Sequence, residues 1–218
     1  MATVAAENLL KAILELQEGG ETVIAARLAE FLKISSAAVS MALKRLQRKG
    51  LVRVMANREV RLSSAGITAA TGLVRKHRLI ERLLVDVLHM AWEKVHDEAE
   101  KLEHATSPEL EARLLELFGT GGTCPHGSPF TPHLPLGAHE GELSLVEAPQ
   151  RRPLRVVRIA ELHEHIEHFL ESLAALELKP GAIVKIERKT FDGIIELRAG
   201  SRSFSVSSQT GGRIWVQA

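Results

Sequence analysis

The sequence predicts a mainly α fold with an α+β portion: a winged helix-turn-helix, a helical middle unit and a small SH3-like β-barrel. Three observations carry this. Apolar residues recur at helical spacing through the first 118 residues, interrupted by one short hairpin pattern. Five Gly and four Pro then crowd the stretch 119–137 and break that pattern. From residue 154 onward, short runs rich in β-branched residues and separated by turn formers replace it. A chain of 218 residues suits one large domain or two to three small ones. The shifts divide it into a winged helix over 1–63, a helical unit over 64–119, a Gly/Pro-rich linker over 120–150 and an SH3-like domain over 151–218.

Each element has its signal. Leu9, Leu10, Ile13, Leu14 and Leu16 mark a helix over 4–18, and "TVIAARLAEFL" predicts a second over 22–32. Ser35 or Ser36 can cap a third, "SAAVSMALKRLQRK", which stops at Gly50. "LVRVM" and "REVRL" read as strands joined at Ala56-Asn57-Arg58. A long helix is expected from about Ser64 to Leu88 and another from Trp92 to Glu103. A third opens with Ser107 as N-cap and Pro108 in its first turn, and ends at Phe118-Gly119. Beyond the Gly/Pro stretch, "LRVVRI", "AIVKIERK", "IIELRA", "SFSVS" and "RIWV" read as strands, with turns at Pro180-Gly181 and Asp192-Gly193 and one helix over about 161–176.

Composition narrows the function classes. No apolar run approaches the ~20 residues that span a membrane, and the N-terminus lacks the basic start of a signal peptide. One Cys excludes an internal disulfide framework and fits a reducing cytoplasm. Net charge is +1 but unevenly spread. Residues 44–61 hold seven basic side chains against Glu59 alone, whereas 71–118 hold seven basic against ten acidic. Two different ligands are expected for the two regions.

The acidic region centres on "KVHDEAEKLEH", residues 94–104. At about 100° per residue, His96, Glu100, Glu103 and His104 fall within about 100° of helical arc, beside the apolar stripe of Trp92, Val95, Ala99 and Leu102. A solvated face usually mixes both signs of charge; here the lysines lie elsewhere, so a bound divalent ion would relieve the repulsion. The preceding helix adds His77 and Glu81, four residues apart on one face. His96 and His104 are about 12 Å apart along the axis, and metal–ligand bonds are about 2 Å. This separates two sites per subunit, one of Glu100, Glu103 and His104, the other of His77, Glu81 and His96. Oxygen and imidazole donors without thiolate favour Mn(II) or Fe(II).

With "ENLLKAILEL" at 7–16, "HRLIERLLVDVL" at 77–88, "KVHDEAEKLEH" at 94–104 and "CPHGSPF" at 124–130, the chain resembles the diphtheria-toxin-repressor family of iron- and manganese-dependent transcription regulators. "LKPGAIVKIERKTFDG" is similar to the SH3-like, FeoA-like domain of its longer members. The resemblance implies a homodimer whose metal-loaded form binds a palindromic operator in double-stranded DNA and represses metal-homeostasis genes. It implies a further ligand from the first helix at Asn8, with Glu7 beside it, and places the non-ligating Lys11 one turn later. It also implies that Glu161 and Glu164 complete the His77/Glu81/His96 site; an exposed helix start is the alternative there. Glu100 resembles the manganese-type members, so Mn(II) is favoured over Fe(II). Metal is expected to bridge the first helix to the dimerisation helices.

In the third helix Val39, Leu43 and Leu46 mark the buried stripe, leaving Ser36, Ala37, Ser40, Met41 and Lys44 to face a major groove. Arg58 in the wing, with Arg27, Arg48 and Arg53, is expected at phosphates. Leu73, Leu83, Leu84, Val87, Leu114 and Leu117 supply a dimer face or an internal core. Cys124 and His126 form a C-x-H pair that could bind metal, but two ligands fall short of a tetrahedral zinc set, so the pair is read as part of a structural loop. The competing function is a two-metal hydrolase or di-iron-type enzyme using the same helix ligands. A non-DNA adaptor is a third class, against which the basic helix and wing argue.

Overall fold

The computed structural model describes residues 3–18, 20–131, 141–160 and 166–218. The first helix, α1 (Val4–Glu18), is buried on more than one side: Leu9, Leu10, Ile13, Leu14 and Leu16 are all enclosed, and so are Ala12 and Lys11. A helix covered in this way is a central strut. Its apolar faces meet α2 (Ala25–Phe31), α3 (Ser36–Arg48) and α4 (Ser64–Asp86). Helix α2 starts three residues later than the sequence predicts, because the β-branched run Thr22-Val23-Ile24 stays extended. Ile24 has φ −125° and bridges Glu59, and the Val23 carbonyl accepts from Val60 N at 2.8 Å.

Ser35 Oγ caps α3 by accepting from Ala38 N at 3.1 Å. Strands β1 (Val52–Val54) and β2 (Val60–Leu62) form an antiparallel hairpin after it. Long α4 is capped by Ser63. It packs on α5 (Val95–Leu102) and α6 (Pro108–Phe118), with Leu79, Ile80, Leu84, Val95, Ala99, Leu114 and Phe130 as a second core. Helix α5 begins three residues later than expected and passes into a 3-10 turn at Glu103–Ala105.

The remainder of the described chain is a sheet with flanking helices. It contains β3 (Leu143–Ser144), β4 (Pro153–Ile159), α7 (Ile166–Ala175), β5 (Ile183–Lys189), β6 (Ile194–Ala199), β7 (Arg202–Ser207), α8 (Ser208–Gly211) and β8 (Ile214–Gln217). Among the described residues the strand order is β3-β8-β4-β5-β6-β7, an open series with no ladder joining β7 to β3. Both ends of the Gly/Pro-rich segment are packed. Cys124, His126 and Phe130 are buried near the helices, and Leu145 and Ala148 enter the core of the sheet. Ala160, just after β4, is packed in the core around α1. No helix of the described residues is long and apolar enough to cross a membrane.

Candidate metal centre

Three segments converge on one carboxylate. Helix α4 supplies His77 and Glu81, one turn apart; α5 supplies His96 from its first turn; the loop after α6 supplies Cys124 and His126. Glu81 is 0% exposed, and its Oε1 lies 3.0 Å from His77 Nε2, 3.3 Å from His96 Nδ1 and 3.5 Å from His126 Nδ1. The ligand atoms of His77, Glu81 and His96 lie within 4.8 Å of one another, as do those of Glu81, Cys124 and His126, and all five residues are buried. The other carboxylate oxygen, Glu81 Oε2, is buried without a hydrogen-bond partner among the described residues. An acceptor left so costs about 1–3 kcal/mol or more, which a coordinated cation would relieve. The donor set therefore fits a divalent metal ion.

The bonds around this cluster orient its rings. The Trp92 carbonyl can only accept, so at 3.2 Å it takes the Nε2–H of His126 and leaves Nδ1 turned toward Glu81. The Glu103 carboxylate likewise takes the Nδ1–H of His77 at 2.7 Å, which directs Nε2 at Glu81. Burial works to raise the Glu81 pKa, but His77 and His126 outweigh it and hold it well below the ordinary carboxylate value. Burial and the Lys11 ammonium work to lower His77, yet Glu81 and Glu103 prevail and its pKa is raised.

The cysteine loop is pinned. Cys124 N donates to Ser128 O at 2.7 Å, Trp92 Nε1 to Pro125 O at 2.9 Å and Arg78 Nη1 to Pro129 O at 2.8 Å. Gly127 has φ +91°, and a Cβ there would lie 2.0 Å from the Val157 carbonyl oxygen, so only glycine fits between loop and β4. Ile159 N donates to His126 O at 2.8 Å, which ties the loop to β4.

The other predicted ligands are distributed differently. The expected common face of His96, Glu100, Glu103 and His104 persists in pairs across the point where α5 tightens into the 3-10 turn: His96 Nε2 lies 3.8 Å from Glu100 Oε1, and His104 Nε2 lies 3.6 Å from Glu103 Oε1. Glu103 turns inward to His77 and to Lys11, whose Nζ is 2.7 Å away. His104 turns to α1, with Nδ1 2.8 Å from Glu7 Oε2 and Nε2 2.6 Å from Asn8 Oδ1. Glu100 keeps its side chain 56% exposed, 3.7 Å from Lys11 Nζ. The acidic patch is thus not without a cation, as the sequence suggests. Burial works to lower the Lys11 pKa, but Glu15, Glu103 and Glu100 raise it above its ordinary value. Glu161 and Glu164 lie outside the described residues.

Cys124 and His126 are what sequence reasoning set aside. The C-x-H signal was visible, but its missing partner, Glu81, is 43 residues away on another element. Their arrival also adds a sulfur donor to a set expected to hold only oxygen and imidazole.

The DNA-facing expectations land on α3 and the hairpin. Val39, Leu43 and Leu46 are buried, while Ser36, Ala37, Ser40, Met41 and Lys44 form an exposed face, Met41 at 57%. Arg48, Arg53 and Arg58 are exposed, with Arg58 at the hairpin tip at φ +66°. Arg27 differs: its guanidinium is held by Glu21 at 2.7 Å and Glu30 at 3.2 Å, so a phosphate would have to compete with two carboxylates.

Three family models match the chain. Residues 1–60 match the family model of the iron dependent repressor N-terminal DNA binding domain. Residues 63–132 match that of the iron dependent repressor metal binding and dimerisation domain, and 143–218 match the FeoA domain. The iron-dependent repressor IdeR of Mycobacterium leprae is 34% identical, the alignment covering 97% of this chain and 96% of that one. The chain belongs to the iron-dependent repressor family. The diphtheria toxin repressor of Corynebacterium diphtheriae is 36% identical over 88% of this chain and 87% of its own length. A solved manganese-dependent transcriptional repressor in complex with manganese superposes with a TM-score of 0.85 at 30% identity, covering 98% of this chain and 99% of that one. The family is one of DNA-binding repressors and not of enzymes, which sets aside the hydrolase reading.

Proposed function

We propose that this protein is a metal-dependent transcriptional repressor, acting in the cytoplasm as a homodimer on palindromic operator DNA when Mn(II) or Fe(II) is held at Glu81. The observation that carries this is the buried Glu81 carboxylate, with two histidines on its helical side and Cys124 and His126 on its loop side. A divalent ion supplies the positive charge that lets these groups close on one point. His77 and Glu81 anchor that point to α4, His96 to α5, and His126 to β4 through its carbonyl. Closing the loop on Glu81 therefore also fixes β4, and with it Ala160 against the core around α1. A metal shifts such an equilibrium only by its preference for the closed state; a hundredfold preference is worth about 2.7 kcal/mol.

On this reading residues 1–63 form the winged helix. Helix α3 enters the major groove with Ser36, Ala37, Ser40 and Met41 at base edges, and Lys44, Arg48 and Arg58 meet phosphates. Residues 64–119 carry the dimer face and 151–218 the SH3-like unit. The deciding experiment is a gel shift with the native promoter, with and without Mn(II) or anaerobic Fe(II). Metal is expected to tighten binding at least tenfold and chelation to reverse it. Glu81→Gln should bind DNA weakly in both conditions; an E81Q protein that still responds to metal would refute the assignment.

A further inference from the structure

We infer that the Glu103 cluster carries its cation within the chain: the Lys11 ammonium takes the place of a divalent ion there, so this repressor is loaded at Glu81 and not at Glu103. This rests on the metal-dependent reading above.

Lys11 reaches from α1 into the gap between α4 and the end of α5, with its side chain 5% exposed. Its Nζ lies 2.7 Å from Glu103 Oε2, 3.0 Å from His77 Nδ1, 3.7 Å from Glu100 Oε1 and 4.0 Å from Glu15 Oε1. One charge thus faces three carboxylates and an imidazole. A metal ion bonded to Glu103 Oε2 at about 2.2 Å would lie within about 5 Å of that nitrogen. A dication and an ammonium would then share a buried, weakly screened space. The other candidate ligands have partners already: His104 Nδ1 meets Glu7 Oε2 at 2.8 Å, and its Nε2 meets Asn8 Oδ1 at 2.6 Å and lies 3.6 Å from Glu103 Oε1. Among the described residues, no converging triplet of His, Cys, Asp or Glu ligand atoms includes Glu100, Glu103 or His104.

Room is not the obstacle. A cavity of about 480 Å³, lined in part by Asn8, Lys11, Glu15, Glu100 and His104, opens beside the cluster. A hydrated ion could reach it, so exclusion is by charge. The consequence is that α1 is fastened to α4 and α5 by an ammonium present with or without metal, and the metal response resides in the Glu81 centre.

The test counts ions. Bound Mn(II) per subunit is measured by equilibrium dialysis with elemental analysis, on the full-length protein. Glu100→Gln and His104→Gln should bind as many ions as wild type. Lys11→Met should bind one more, Lys11→Arg none more, and the double variant K11M/E103Q should lose the added ion. The inference is overturned if E100Q or H104Q loses an ion while Lys11 is present, or if folded K11M gains none. Should K11M be poorly folded, the counts for E100Q and H104Q decide alone. A wild type that binds no Mn(II) would sink the Glu81 reading, while the gain in K11M would remain readable.

Discussion

Glu81 concentrates the chemistry because it is the one carboxylate shared by both ligand triplets. Cys124 is the residue whose removal reports on the loop half of the centre. In wild type, bound Co(II) should give a thiolate-to-metal charge-transfer band; Cys124→Ala should lose that band and weaken metal affinity by about 10–100-fold. A band that survives would place the sulfur away from the ion. Glu15 offers a separate test at this scale. Burial, only partly offset by Lys11, pushes its pKa from an ordinary 4.5 up to about 7. The native state then holds a proton that the unfolded chain has released, so this stabilising contribution is whole below pH 4.5 and is lost as pH rises through about 7. Thermal unfolding of Glu15→Gln should accordingly fall less between pH 6 and 8 than that of wild type, read by circular dichroism.

Among the elements, α3 and α6 each keep an exposed face that the described residues leave uncovered. On α3 the apolar stripe is consumed by the core, which leaves Lys44 exposed next to Met41. Lys44→Ala should weaken operator binding similarly across sequences and reduce the salt slope by about 1, as for a lost phosphate contact. A change in base preference without a change in slope would argue for a base contact instead. Helix α6 buries Leu114 yet leaves Leu110 and Leu117 outside, Leu117 at 61% exposure, and Val87 and Leu88 beyond the end of α4 are exposed as well. Of the leucines expected at a dimer face, Leu73, Leu84 and Leu114 are instead consumed within the chain. Large apolar side chains left outside are what the dimer face proposed for this unit needs. Leu117→Glu should yield a monomer by sedimentation and lose tight binding to a two-half-site operator while keeping its helical signal.

At the scale of the molecule, α1 and the cysteine loop act as connectors among the described residues. The first lies between the DNA-facing helices and the metal-binding pair, held by a large apolar surface and by Lys11. The second links α4 to the sheet through Arg78, Gly127 and the His126 carbonyl. Adding a chelator in excess should lower the melting temperature, because an ion bound only by the folded state stabilises it by mass action, about 2.7 kcal/mol at a hundredfold excess over Kd. Restoring Mn(II) should reverse the shift in wild type and leave Glu81→Gln unchanged.

By itself the sequence determined whatever depends on local spacing. Helix caps at Ser107 and at Ser35 or Ser36, the hairpin after Gly50, the buried stripe of α3 and the i, i+4 pair of His77 and Glu81 all follow from periodicity and side-chain chemistry over a few residues. Tertiary structure alone decided which of the candidate ligands meet. Glu103 was turned to His77 and His104 to α1, α1 delivered an ammonium to the acids, and the Gly/Pro loop folded back to set Cys124 and His126 beside Glu81. The reason is one of range: a helix fixes neighbours along its own axis, but the meeting of charges from separate segments depends on how whole apolar faces pack, and no local pattern records that.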